Sequence, residues 1–440
     1  MKILHITAHM GSGVGKAISG MAVSDCQNEN IIVLLDQPEK VDHIKRCELH
    51  GINVIICPDS DTLMKLVLKA DIIVVSWWHH PLLYRFLVSI ENTPTRIVLW
   101  SHINGLYYPR LRFNFADCFD SCIFTSESTF WNEEWNESEK KYIKAKSGLV
   151  YGMGDFRPEN FQSKSDYNLR PTIKVGYVGS LDYTKLHPDF VSFLKAAVDS
   201  NHNIVFEIAG DIIGAIEKDV ERYGLSENVI FLGYRTDIQS LHISWDAFIY
   251  LLNPFNFATT ENALLEAMAS ALPIITSSGF VEKSIIRNKE TGITVSSQEE
   301  FATELNRLMS NLEMRKELGL KARAYVIKNY NIDSNCNRYN DILNNVLEMP
   351  KREHCFTKAI GKNAFDWFLS GCGYEETQKF RSFSEKLKNK ENEKMILLET
   401  KDIKRIYKGD SKGSVGQFSK YNPEDAVLQS ISELMKKSQE

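Results

Sequence analysis

The sequence has no stretch of 18 apolar residues, so we expect no membrane-spanning helix. The apolar run in its first residues is too short for a signal peptide, and no A-x-A site follows it. Its eight cysteines form no CxxC pair, which argues against a zinc site or a disulfide framework. We therefore predict reduced thiols and a cytoplasmic location.

The chain also lacks a basic balance, because its formal net charge is −5, and we expect no nucleic acid as partner. We find no Asp-x-Asp placed to hold a metal against a phosphate, and Asp117 and Asp120 follow a Phe-rich stretch without a strand end before them. The sequence predicts neither a metal nor a cofactor.

Continuous apolar runs alternate with helical stretches such as Lys16–Cys26 and Ser60–Lys69. Runs of this kind are typical of parallel strands covered by helices on both faces. In the first half, the predicted strands are Lys2–Ala8, Asn30–Asp36, Asn53–Pro58, Asp71–Trp78, Arg96–Ser101, Ser121–Ser126 and Gly148–Gly152. In the second half, they are Lys174–Gly179, Ile204–Ala209, Val229–Gly233, Ala247–Leu252, Pro273–Thr276 and Gly292–Val295.

We predict an α/β protein with two Rossmann-like, doubly wound parallel-sheet domains. The domains are expected at 1–152 and 173–349, facing each other across a cleft, with a polar linker at 153–172. Residues 350–440 are predicted to form a mainly helical extension outside these two domains. Residues 377–420 hold twelve Lys/Arg and six Asp/Glu, which fits either a solvated helix or docking on an anionic membrane at its inner face.

The segment Val229–Val295 carries the densest set of motifs. A helix is predicted to start near Thr260, just beyond a strand, where free N–H groups suit a phosphate. The pieces FLGY at 231–234, LLEAMASALPII at 264–275 and ETGITV at 290–295 occur in order. With them, the chain resembles the retaining family-4 glycosyltransferases of the GT-B fold, over about residues 1–345 and most strongly over 174–296.

The resemblance implies donor-binding residues. Glu266 matches the glutamate that holds the donor ribose, and its usual companion carboxylate falls at Ala258, so Glu261 is the candidate substitute. Lys185 matches a lysine that neutralises the donor diphosphate, whereas the arginine expected with it is Ser180.

In the first half, Gly11, Gly13 and Gly15 resemble the family's glycine-rich loop, which approaches the ligand closely. The same residues fit neither a P-loop nor a dinucleotide fingerprint. His102 matches a histidine that reaches the donor sugar, and either Trp77 or Trp78 could stack on an acceptor sugar or pack in the interior.

The resemblance implies transfer of a sugar from a nucleoside-diphosphate sugar to a glycan or glycolipid acceptor, with retention and without a metal, in surface polysaccharide biosynthesis. His102 and Lys185 are the implied catalytic residues. Two alternatives stay open: an inactive subunit that supports a partner transferase, for which Ala258 and Ser180 argue, and a sugar-nucleotide epimerase.

Overall fold

All thirteen predicted strands form, within three residues of their predicted ends. The structure is a computed structural model, and it describes residues 1–168, 170–211, 214–388 and 413–437. These residues fall into two units. The first contains Met1–Asp155, Phe257–Thr259 and Asn335–Glu440, and the second contains Phe156–Asn256 and Thr260–Ser334.

The first unit is built on a seven-stranded sheet in the order β3-β2-β1-β4-β5-β6-β7, with every pair parallel. All six residues of its central strand β4 are buried, as a strand covered on both faces requires. The strands are β1 (Lys2–Thr7), β2 (Glu29–Leu34), β3 (Asn53–Ile56), β4 (Ile72–Trp77), β5 (Ile97–Ser101), β6 (Ser121–Phe124) and β7 (Ser147–Leu149).

Helices connect these strands and cover the sheet. Capping fixes several of their starts; for example, Asp59 Oδ1 accepts a hydrogen bond from Thr62 N at 2.8 Å. The helices are α1 (Ser12–Ser24), α2 (Asp42–Leu49), α3 (Ser60–Lys69), α4 (Pro81–Ile90), α5 (Phe113–Asp117) and α6 (Glu137–Ala145), with a 3₁₀ turn at Glu127–Trp131.

The second unit has a six-stranded parallel sheet in the order β10-β9-β8-β11-β12-β13. Its strands are β8 (Ile173–Val178), β9 (Ile204–Ala209), β10 (Val229–Gly233), β11 (Ala247–Tyr250), β12 (Ile274–Ser277) and β13 (Ile293–Val295). Its helices are α7 (Phe190–Ser200), α8 (Ala215–Arg222), α9 (Ile238–Ser244), α10 (Asn262–Ala269), α11 (Phe280–Ile285), α12 (Gln298–Ser310) and α13 (Leu312–Asn329), with a 3₁₀ turn at Pro158–Asn160. Both sheets confirm the predicted pair of Rossmann-like folds.

The units divide the chain differently from the predicted boundaries. Much of the predicted linker packs within the second unit, where Tyr167 Oη donates a hydrogen bond to the Ala271 carbonyl at 2.8 Å. The chain returns to the first unit at Asn335, within α14 (Ile332–Leu347). There, the Asn340 side chain accepts a hydrogen bond from Asn28 Nδ2 at 2.7 Å.

The described residues of the predicted extension are mainly helical, as expected, but their helices pack into the core of the first unit and do not lie outside it. Phe356, Phe368 and Phe418 are fully buried in one cluster with side chains of α4 and α5. Part of the basic run, residues 389–412, lies outside the described residues. The helices are α15 (Phe356–Ile360), α16 (Ala364–Ser370), α17 (Tyr374–Lys388), α18 (Val415–Tyr421) and α19 (Ala426–Lys437).

Within the described ranges, no helix has the length and hydropathy needed to cross a bilayer.

Candidate functional site

Glycine forms the turn that leaves the central strand of the second sheet. A Cβ at Gly179 would lie 2.5 Å from Tyr177 Oη, and one at Gly210 would lie 2.0 Å from the Gly179 carbonyl oxygen. A larger residue at Gly210 would therefore force the ends of β8 and β9 apart, and one at Gly179 would displace the Tyr177 hydroxyl. The turn continues through Asp182, whose Oδ1 accepts hydrogen bonds from Thr184 N at 2.9 Å and Lys185 N at 3.2 Å.

The backbone of Lys185 is fixed to the end of β11. Its carbonyl accepts a hydrogen bond from Asn253 N at 2.8 Å, and Leu186 forms a bridge with Leu252. Residues that follow two adjacent parallel strands thus meet at the carboxyl edge of the sheet, where open α/β sheets bind ligands.

The side chains of Lys185, Tyr250 and Glu261 meet at this edge. Lys185 Nζ lies 3.1 Å from Glu261 Oε2, and Tyr250 donates a hydrogen bond to the same oxygen. The Lys185 ammonium also lies 5.4 Å from the centre of the Tyr250 ring. Burial, and then the charge of Glu261, raise the pKa of Tyr250 well above its ordinary value, so the phenol stays a donor.

Glu261 and Lys185 differ in their exposure. The Glu261 side chain is 6% exposed, whereas that of Lys185 is 30% exposed. The carboxylate is therefore nearly buried and the ammonium is open to a ligand. An ammonium has three donors, so the contact with Glu261 leaves two for other acceptors.

Helix α10 begins at Asn262, two residues after the predicted start at Thr260, and Glu261 occupies the N-cap position. The Glu261 side chain forms no cap hydrogen bond, because it turns towards Lys185. The first N–H groups of the helix and its dipole favour an anion near Thr260 and Asn262. Glu266 lies half-buried on the same helix, about one turn further along.

A further carboxylate, Glu282, was not predicted from the sequence. It is 1% exposed, and Ser277 Oγ donates a hydrogen bond to its Oε1 at 2.7 Å. Ser277 ends β12 and accepts a hydrogen bond from Leu252 N at 3.0 Å, which places Glu282 beside the end of β11. One feature of the sequence could have indicated Glu282: it lies three residues after a Ser-Gly pair that follows an apolar strand.

Burial raises the pKa of Glu282 to about 7, and the charge of Glu261 contributes to this shift. Gly279 makes room for the carboxyl group, because a Cβ there would lie 2.4 Å from Glu282 Oε2. At this edge of the second sheet, the Lys185–Glu261 pair therefore lies beside a carboxyl group whose pKa is near neutrality.

The first unit contains the predicted glycine-rich loop, but these residues start α1 and do not form a loop. Gly11 is the N-cap, and Gly13 and Gly15 lie in the first turns, because the helix begins at Ser12 and not at the predicted Lys16. A Cβ at Gly15 would lie 2.1 Å from the Met10 carbonyl oxygen, whereas one at Gly13 would meet no atom within 4 Å. Gly15 is thus required for internal packing, and Gly13 leaves open space beside the helix start.

His102 follows β5 in the first unit. Its backbone N–H donates to the Trp77 carbonyl at 2.9 Å, and its ring centre lies 4.9 Å from that of Trp100. Two residues further on, Asn104 Nδ2 donates to the carbonyl of Ala258 at 2.9 Å. This hydrogen bond places Ala258, the position at which the expected carboxylate is absent, next to the loop that carries His102. Both belong to the first unit.

The two tryptophans after β4 differ in their surroundings. Trp77 packs against Tyr84 and Phe115, with ring centres 4.7 and 4.4 Å away, and is interior. Trp78 lies instead 5.1 Å from the ring of His9 at the sheet edge.

The structure thus brings Lys185 and Glu261 into contact. Thr260 lies just before the N-cap of α10, and Glu266 lies within this helix. Gly11, Gly13, Gly15 and His102 belong to the other unit.

No three His, Cys, Asp or Glu side chains among the described residues are grouped to hold a metal. The chain contains one Asp-x-Asp, at 59–61. Its first member caps α3 and so has a structural use. Asp117 pairs with Lys146 at 3.0 Å, and Asp120 pairs with Arg352 at 2.6 Å.

Comparison with known proteins agrees with this fold. Residues 172–311 match the family described as glycosyl transferases group 1. No curated protein matches the chain significantly.

Three solved structures share the fold at 15% sequence identity. HepE of Anabaena in complex with UDP has a TM-score of 0.63, over 78% of this chain and 100% of its own. A glycosyltransferase of Rickettsia africae has a TM-score of 0.59, over 79% and 98%. Sucrose-phosphate synthase of Thermosynechococcus elongatus has a TM-score of 0.56, over 79% and 99%. The two Rossmann-like units of this chain thus have the GT-B fold of these structures.

Proposed function

We propose that the chain is a glycosyltransferase that moves a sugar from a nucleoside-diphosphate sugar to a glycan or glycolipid acceptor, with retention at the anomeric carbon. The observation that carries the proposal is the Lys185–Glu261 pair at the carboxyl edge of the second sheet, beside the start of α10. The match of residues 172–311 to group 1 glycosyl transferases and the UDP complex of HepE support the same donor class.

Lys185 and the first N–H groups of α10 would bind the donor diphosphate. As the bond between the sugar and the diphosphate breaks, negative charge develops on the leaving oxygen. A fixed ammonium stabilises this charge more in the transition state than in the ground state. Lys185 can give two N–H donors to phosphate while it keeps its contact with Glu261.

Glu261 would take the place of the carboxylate that is absent at Ala258. Both of its side-chain contacts, with Lys185 and with Tyr250, use Oε2. We assign its other oxygen, Oε1, to hydroxyl groups of the donor sugar, and we assign Glu266 to the ribose.

The first unit would bind the acceptor, and we assign to Gly11, Gly13, Gly15 and His102 the roles that the resemblance implies. For retention, we propose that the acceptor hydroxyl forms its bond on the face that the diphosphate leaves and that its proton passes to the leaving phosphate. Lys185 and the helix start supply the positive charge at the diphosphate, so the reaction is expected to need no metal. A role in surface polysaccharide biosynthesis fits this donor and acceptor class.

A thermal-shift screen of the full chain with UDP, GDP, ADP and dTDP tests the donor site. A ligand that binds only the folded chain raises the melting temperature. We expect at least one nucleoside diphosphate to raise it in wild type and to lose this effect in Lys185→Ala. If none of the four changes the melting temperature, the proposed function is wrong.

A further inference from the structure

A second group of polar and aromatic side chains lies at the carboxyl edge of the first sheet. His9 and Asp36 each lie two residues beyond the end of a strand, β1 and β2, and Trp78 directly follows β4. The ring centre of His9 lies 5.1 Å from that of Trp78 and 6.1 Å from that of His80. Two neighbouring strands, β1 and β4, therefore bring these three rings together, and Asp36 follows the adjacent strand β2.

The backbone at His79 allows Trp78 and His80 to contact the same ring. His79 has φ of 63°, in the left-handed region that non-glycine residues seldom adopt. Its own ring points into the core, where Nδ1 and Tyr84 Oη share a hydrogen bond of 2.7 Å.

The C-terminal extension adds a fifth member, Tyr421, from the end of α18. The Tyr421 ring centre lies 4.9 Å from that of His80, and its hydroxyl donates a hydrogen bond to Asp36. Arg85 Nη2 donates to the Tyr421 carbonyl at 2.7 Å and to Asn422 Oδ1 at 2.9 Å, so the end of α18 is held on α4. Burial, and then Asp36, raise the pKa of Tyr421, which keeps its hydroxyl protonated.

The composition of this group fits a carbohydrate. The half-buried rings of His9 and Tyr421 offer apolar faces to the C–H groups of a sugar, and Asp36 offers acceptors to its hydroxyls. His80 is fully buried and packs against both of these rings. Trp78 is 4% exposed, and within the described chain its indole N–H has no hydrogen-bond partner. A buried donor without a partner is costly, and a ligand hydroxyl would satisfy it. The charge of Asp36 disfavours phosphate at the same place.

We propose that His9, Asp36, Trp78, His80 and Tyr421 form a carbohydrate subsite, in which the extension supplies Tyr421. The assignment of this sugar as the acceptor rests on the proposed function; the sugar site itself does not. The resemblance to glycosyltransferases ends near residue 345, so Tyr421 is a binding residue that this chain adds to the fold.

Saturation-transfer NMR on the full chain tests the subsite, with the methyl glycosides of glucose, galactose, mannose and N-acetylglucosamine as probes. We expect at least one glycoside to bind wild type. Tyr421→Phe and Asp36→Asn keep the side-chain volume but remove the hydroxyl–carboxylate contact, and each should weaken binding about tenfold. Tyr374→Phe is the matched control, because Tyr374 lies in the same extension and is 75% exposed.

Two further measurements separate the possible results. The melting temperature of Tyr421→Phe reports on folding, and the UDP-induced shift reports on the donor site of the second unit. A loss of glycoside binding with both values unchanged supports the subsite. The subsite is overturned if no glycoside binds, or if both variants bind as wild type does. In either case, a retained nucleotide shift would leave the proposed transferase function standing.

Discussion

Lys185 Nζ lies 3.1 Å from Glu261 Oε2, and the two residues follow different strands of the second sheet. The Lys185 ammonium is partly exposed, whereas the Glu261 carboxylate is nearly buried at the start of α10. A ligand at this edge therefore meets a positive group whose position is fixed before binding.

Lys185→Ala is expected to raise the dissociation constant of the bound nucleoside diphosphate by about ten- to a hundredfold, since hydrogen bonds to charged groups contribute about 1.5–3 kcal/mol. The loss also leaves the Glu261 charge unpaired near the diphosphate. Isothermal titration calorimetry measures the change, with Lys218→Ala, an exposed lysine of α8, as control. Equal affinities in the two variants would remove Lys185 from the donor site.

Glu261→Gln and Glu266→Gln should act differently. The first keeps the size of the side chain but removes a negative charge beside Lys185, so we expect nucleoside diphosphate to bind at least as tightly while turnover of the nucleotide sugar falls about a hundredfold. The second should weaken nucleotide binding by about tenfold, because it changes the proposed ribose ligand. Weaker nucleotide binding in Glu261→Gln would show that Glu261 binds the nucleotide and not the sugar.

The pKa of about 7 at Glu282 predicts a pH dependence. Glu282 is neutral below this value and ionised above it, so affinity for a diphosphate should fall as the pH rises from about 6 to about 8. Glu282→Gln should remove the fall that is due to this residue. Titrations of both proteins across this range check it, and identical pH profiles would contradict the assignment.

The raised pKa of Glu282 also makes the free energy of unfolding depend on pH. The folded-state pKa of Glu282 lies above its ordinary value of 4.5, so the folded chain holds a proton that the unfolded chain releases. The contribution of this group is present below pH 4.5 and is lost as the pH rises to about 7. Above that, Glu282→Gln should be more stable than wild type by at most about 3 kcal/mol, the upper bound that the shift allows. Denaturant unfolding at both ends of the range measures this difference.

Phe368→Ala tests whether the extension is part of the first unit. Phe368 is fully buried, and truncation of such a phenylalanine costs about 3–5 kcal/mol of unfolding free energy. Tyr374→Ala, nearby and 75% exposed, should cost less than about 0.5 kcal/mol. For the same reason, truncation near residue 350 should destabilise the first unit. Chemical denaturation gives both values, and a Phe368→Ala variant as stable as wild type would show that the extension does not pack there.

The strands could be predicted because a strand that is buried on both faces appears in the sequence as a continuous apolar run. The run Ile72–Trp77 is apolar almost throughout, and the structure buries each of its residues. The start of α1 was not predictable in the same way, since Gly13 and Gly15 are typical of loops. The structure forms a helix there because Gly15 allows close contact with the Met10 carbonyl.

The packing of the extension into the first unit could not be predicted from the sequence either. The basic residues of 377–420 indicate a solvated helix, whereas Phe380, Phe383 and Phe418 among them are buried in the core of the first unit. Which face a helix buries depends on the surface it meets, and the sequence alone does not contain that surface.

The candidate site could be predicted only in part. Lys185 and Glu266 were identified through the resemblance to glycosyltransferases, and their proposed roles stay predictions. The contact between Lys185 and Glu261 joins residues 76 positions apart, and it depends on adjacent placement of β8 and β11. Glu282 has an ordinary sequence context, and its raised pKa comes from burial, which only the fold provides.

The most direct test of the account is ³¹P NMR of nucleotide sugars incubated with the purified full chain in EDTA. We expect at least one of UDP-glucose, UDP-galactose, UDP-N-acetylglucosamine and GDP-mannose to release its nucleoside diphosphate, slowly to water and faster with an added acceptor glycoside, and Lys185→Ala to abolish the release. An epimerase would change the nucleotide sugar, and an inactive subunit would leave every donor intact. Intact donors with and without glycoside, or release that needs added manganese or magnesium, would contradict the account.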